Sequence, residues 1–112
     1  MSKITNAEEF AKSCREQKDN MLASYMGGED ASVSELIGKI CPDDAAKDVA
    51  KEMLGQVLTD TFYSILMALS GESNLGSADQ QLFKVISSDG FGINTNGELA
   101  DSAYMAFYGD EA

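Results

Sequence analysis

Histidine is absent from the chain. That removes Ser-His-Asp and Cys-His catalysis and nearly all familiar zinc sites, because nothing supplies a neutral base or an imidazole ligand. Cysteine occurs only twice, at Cys14 and Cys41. A pair can form one bridge but not a disulfide framework, and by itself it cannot complete a zinc shell. Proline occurs once, at Pro42. Long apolar runs are missing as well: the densest stretch, Val57 to Leu69, covers 13 residues and contains Asp60, whereas a membrane span needs about 20 apolar residues. The opening Met1 to Glu9 has neither a basic start nor an apolar stretch behind it, so no export signal is expected. A soluble, cytoplasmic protein with free thiols is the reading that follows.

Basic side chains are scarce too, eight against 19 acidic ones, for a net charge of −11. The imbalance lies toward the C-terminus. Residues 1–51 hold seven bases and ten acids, whereas residues 52–112 hold only Lys84 against nine acids. Affinity for phosphate backbones needs a basic face, so direct nucleic-acid binding is disfavoured and a basic protein is the natural counterpart. The charge also serves simply to keep a small protein soluble.

What the chain does have is helical periodicity. At 112 residues and 44% apolar content it is sized for one domain, 1–112, with a continuous core. Thr5-Asn6-Ala7-Glu8 and Asn6 with Glu9 both carry capping-box spacing, and Phe10, Cys14, Met21, Leu22, Tyr25 and Met26 recur on one face until Gly27-Gly28. Ser32-Val33-Ser34-Glu35 repeats the capping pattern before Val33, Leu36, Ile37 and Ile40. Pro42 then fits the first position of a long helix over residues 43–69, with Asp43 and Asp44 suited to the positive end of its dipole. Its second half, from Val57 to Leu69, is apolar nearly all round, the mark of a helix buried by neighbours on several sides.

Beyond Ser70-Gly71 the pattern divides. Ser77 could cap a short helix running through Val85 and Ile86, followed by a loop, which is the preferred expectation. The alternative is a small β-hairpin near residues 82–95, turning at Asp89-Gly90. Thr95-Asn96-Gly97-Glu98 is a last capping match, ahead of a terminal helix bearing Leu99, Ala103, Tyr104, Met105, Phe107 and Tyr108. The fold class expected is mainly α, a compact bundle of about four to five helices around the long central one.

No residue pattern demands a particular chemistry. A dinucleotide loop lacks its third glycine at Thr95, and no Gly-Lys-Ser or Gly-Lys-Thr sequence exists. Asp89, Asn94, Asn96 and Glu98 crowd one segment, but a calcium loop started at Asp89 would put Phe91 and Ile93 where oxygen ligands belong. The pairs Glu8-Glu9 and Asp43-Asp44 fall in first turns of helices, where acids are favoured structurally. No enzyme activity, metal or cofactor is therefore expected.

In size and charge the chain is similar to small antagonists such as bacterial immunity proteins, antitoxins or phage-encoded inhibitors. An inhibitor that masks the basic surface of a nuclease or nucleic-acid-binding protein is the expected function. The alternative is a structural or adaptor protein that forms a homodimer or docks on a larger assembly by apolar helix packing. The surface expected to touch a partner comprises Asp89, Glu98, Asp101, Tyr104, Tyr108, Asp110 and Glu111. For Tyr104, Phe107 and Tyr108 core packing is the first expectation, and the interface role holds only where the tyrosines are exposed.

Overall fold

A computed structural model of the chain describes residues 3–109. Among these residues the elements run α1 (Ala7–Gly27), α2 (Ala31–Ile40), α3 (Asp44–Leu69), β1 (Val85–Ile86), β2 (Gly92–Asn94) and α4 (Leu99–Tyr108). The protein is mainly helical, a four-helix arrangement around the long α3 with one small antiparallel hairpin. None of the helices described is long and apolar enough to cross a membrane.

Side chains from outside the helices set where each begins. Asn6 Oδ1 accepts from the Glu9 amide at 2.9 Å, and the Glu9 carboxylate turns back to accept from the amide and hydroxyl of Thr5, both at 2.8 Å. The Asn6–Glu9 box is thus half used, and Thr5 pairs with Glu9 where the other expected box would have used Glu8. At α2 the cap is Asp30, which accepts from the Val33 amide at 2.9 Å, and not Ser32. An aspartate two residues earlier is at least as good an acceptor for that amide as a serine hydroxyl, so the helix starts sooner. Ser34, freed from capping, donates to the Tyr25 carbonyl at 2.7 Å and ties α2 to the end of α1.

Pro42 likewise precedes the cap of α3 and does not occupy its first turn. Asp43 takes the cap and accepts from Ala46 at 2.9 Å; with Pro42 in the first turn, the cap would have fallen to Cys41, whose thiol is a poor acceptor. At the far end, the Glu72 amide reaches the Met67 carbonyl and the Gly71 amide the Ala68 carbonyl, the paired bonds of a Schellman motif. Gly71 takes the left-handed backbone that motif needs, at φ 79°.

Two apolar clusters form on the α1–α3 pair. The larger buries Ala7, Leu66, Leu99, Ala103 and Phe107, with Phe10 and Phe62 packed against them. The smaller joins Ile37, Cys41 and Ala50 under Tyr25 and Met26. Phe62 stacks on Phe107 and Tyr63 meets Tyr108, while Leu69 lies beside Asn94 just ahead of α4, so α3 and α4 run antiparallel. The expectation that the second half of α3 is enclosed on several sides is corrected: Val57 and Ile65 are exposed. Among the described residues α1 and α4 are the helices that pack chiefly on α3, and two such neighbours leave one side of a helix open.

The preference for a helix over Ser77 to Ile86 is also corrected, in favour of the hairpin. Val85 pairs with Asn94 and Ile86 with Gly92, with a bulge between, and the chain turns at Asp89-Gly90. Tertiary bonds decide the matter. The Phe83 amide donates to the Leu69 carbonyl at 3.0 Å, and the wholly buried Asn94 donates to the carbonyls of Leu69 and Phe83 at 3.2 and 3.0 Å. Its Oδ1 accepts from the Leu99 amide at 3.3 Å and so opens α4. The expected cap at Thr95 is corrected: Glu98 holds the cap position without a side-chain cap bond, and Asn94 serves the first helical amide instead.

Candidate functional site

Leu99, Ala103 and Phe107 turn inward from α4, which leaves Asp101, Tyr104, Met105 and Tyr108 on the opposite face at spacings of three and four. Tyr104 is 54% exposed and Tyr108 43%, while Phe107 is buried. Of the three C-terminal rings, then, one is core and two are surface. Tyr108 lies 5.9 Å from Tyr104 and meets Tyr63 of α3 edge-to-face at 4.9 Å. Pairs of this kind contribute about 0.5–1.5 kcal/mol beyond burial and hold the rings in fixed positions. Burial first, then the charges of Tyr108, Tyr104 and Glu72, push the Tyr63 phenol above its ordinary value, so it remains a neutral hydrogen-bond donor.

The other flank of this face is a cleft of about 520 Å³ between α1 and α4, lined by Glu8, Lys12, Arg15, Asp101, Ser102 and Met105. Lys12 pairs with Glu8 at 3.2 Å, and Arg15 donates to the Ala106 carbonyl at 2.8 Å while pairing with Asp19. The cleft is mixed in sign, so Asp101 sits where acid on α4 gives way to base on α1.

Two of the remaining expectations fall elsewhere. Asp89 occupies the hairpin turn and pairs with Lys3 at 3.1 Å. Glu98 immediately precedes α4, and hydrogen bonds from its own amide and that of Asn96 hold its carboxyl below the usual glutamate range. Asp110 and Glu111 lie outside the described residues. The fold therefore gathers Asp101, Tyr104 and Tyr108 on one helix face and adds Tyr63, Met105 and Glu72, which the sequence does not single out. Tyr63 carries no separate signal, because its place in the apolar half of α3 is equally that of a core residue.

Among the described residues no group of three or more Cys, Asp or Glu side chains converges as metal ligands would. Cys14 and Cys41 are free thiols; burial pushes the Cys14 thiol up, and Cys41 donates to the Ala46 carbonyl at 3.6 Å. No protein-family model, curated protein or solved structure matches this chain.

Proposed function

We propose that the protein works by binding another protein, as an inhibitor- or immunity-type antagonist whose Asp101-Tyr104-Tyr108 face covers a basic surface of its target. A nuclease or another nucleic-acid-binding protein is the class of target that fits, since carboxylates can occupy positions otherwise taken by phosphates. The observation that supports this reading is the exposure of two tyrosines on one helix, braced by a third and sharing their face with the exposed Asp101. Tyrosine offers a large contact area with little rotamer entropy to lose, and it is enriched among the residues that dominate binding. Its ring face accepts a guanidinium or ammonium group, which a nearby carboxylate can pair with.

Capture of the target from the source lysate at low salt, with elution by a salt gradient, would identify it. Against that target, Tyr104→Ala with Tyr108→Ala should weaken affinity by about 2 kcal/mol or more. Asp101→Asn should chiefly slow association, because a rim charge acts on encounter. Asp101→Asn should leave the melting temperature near that of the parent, whereas the double tyrosine variant loses two ring pairs worth about 0.5–1.5 kcal/mol each. Its affinity is therefore measured at a temperature where circular dichroism shows both proteins folded. Unchanged affinity in the double tyrosine variant would remove α4 from the interface.

A further inference from the structure

A second surface, remote in sequence from α4, carries a set of exposed aliphatic side chains. Leu36 and Ile40 on α2, and Val49, Met53 and Val57 on α3, are each between 51% and 66% exposed. Successive members are four residues apart, so they line up in a row along one face of each helix. The rows meet in a groove of about 380 Å³, where Ile40, Val49 and Met53 stand over a floor of Cys41, Ala46 and Ala50. An exposed patch of this kind, apolar and rimmed by polar groups, marks an interaction site.

The rim says what fits. Outside the α3 row runs a parallel row of Glu52, Gln56 and Asp60, all exposed, with Gln56 donating to Asp60 at 3.2 Å. Outside the α2 row stand Glu35 and Lys39. Three carboxylates thus face one ammonium group, and none of the three meets a lysine or arginine among the described residues. A second copy of the chain would bring acidic rim to acidic rim at a net charge of −11 each, and the same sign on both partners opposes association. We propose that this groove seats an amphipathic helix of a partner protein, with an apolar row flanked by lysine or arginine. From Val49 to Val57 the seat is about 12 Å long at 1.5 Å per residue. It takes two turns of such a helix, with anchors spaced i, i+4 and i+7 or i+8.

The inference is independent of the α4 face, and one experiment separates the two. The probe is a synthetic, fluorescently labelled amphipathic helix of leucine and lysine, followed by anisotropy on the full chain. Val49→Glu with Met53→Glu should weaken binding about tenfold or more, a change of about 1.4 kcal/mol. Both positions are exposed, so circular dichroism should match the parent. Because these substitutions add negative charge, undirected attraction of a cationic peptide would strengthen, and only loss of an apolar seat weakens binding. A peptide of equal charge with serine in place of leucine should bind the parent as poorly as the parent peptide binds the variant. Glu52→Gln with Asp60→Asn should weaken binding and flatten its salt dependence, while Asp101→Asn should leave it unchanged. Equal affinity for parent and Val49→Glu/Met53→Glu, or weakening only by α4 variants, overturns the proposal. So does a parent mass of twice 12.0 kDa that the groove variant halves, since a second copy would then be the occupant.

Discussion

Asn94 is wholly buried and makes three hydrogen bonds to three different segments: the end of α3, the approach to β1 and the start of α4. Removing the side chain leaves the Phe83 carbonyl and the Leu99 amide without these partners, and each unsatisfied buried group costs about 1–3 kcal/mol. Asn94→Ala is therefore expected to destabilise by about 2–5 kcal/mol in urea unfolding. Asn94→Asp tests the geometry more sharply. It keeps the acceptor for Leu99 but turns an oxygen toward two carbonyls, which raises the folded-state pKa of the new carboxyl. A group with a raised folded pKa favours the folded state more as it becomes protonated, so this variant should recover stability relative to the parent as pH falls from 7 toward about 4. Equal losses for Asn94→Asp at both pH values would show that the amide group does not hold the junction. At the N-terminus the sign is opposite for Glu9: hydrogen bonds from Thr5 hold its carboxyl below the ordinary 4.5. Its contribution is complete above that value and disappears as pH drops through the lowered one.

At the level of elements, Leu66 is the test of the long helix. It is 2% exposed in the cluster that joins α1, α3 and α4, so Leu66→Ala should cost about 2–5 kcal/mol. A loss within about 0.5 kcal/mol, as a surface position gives, would mean that α3 is not the centre of the fold. The helices themselves are legible in the sequence, because period and caps are local: Asn6 before α1, Gly28 after it, and Gly71 after α3 all stand in the chain as signals. Cap choice is less legible at Asp30, two residues before the expected Ser32, and at Asp43, two residues after the Cys41 that Pro42 in a first turn would imply. The hairpin is not legible. Leu82 to Ile86 suits either a helix or a strand, and the choice rests on bonds from Leu69 and Asn94, each distant in sequence. Nor could periodicity separate the two sides of α3, since Val57 and Leu66 look alike until α1 and α4 cover one and not the other. The α4 face stands between these cases: its spacing places Asp101, Tyr104 and Tyr108 together, but only the inward turn of Phe107 reveals which rings remain outside, and Tyr63 joins them through antiparallel packing alone.

Across the whole molecule, which extends 48 × 36 × 28 Å, stability is unequal at the two ends of the α1–α3 pair. The cluster around Leu99 holds five buried residues and six half-buried partners, three of them aromatic, whereas that around Ile37 holds three buried residues and five partners, of which only Tyr25 is aromatic. Segments with few buried apolar contacts open at lower free energy than the global transition. The Cys41 thiol, buried in the smaller cluster, should therefore react with a thiol reagent faster than global unfolding allows, under conditions where Leu99-side amides remain protected from hydrogen exchange. Reaction at the global rate would show that both clusters melt as one unit.

The larger cluster has one more property, which concerns the order in which the chain is made. Ala7 packs with Leu99, Ala103 and Phe107, and Arg15 bonds to Ala106 across 91 residues. While the chain emerges from the ribosome in N-to-C order, α1, α2 and α3 can pair early through short connections, but the apolar side of α1 around Ala7 and Phe10 has no α4 to cover it until residues 99–108 have followed. Of the four helices described, α4 emerges after the other three and closes over α1.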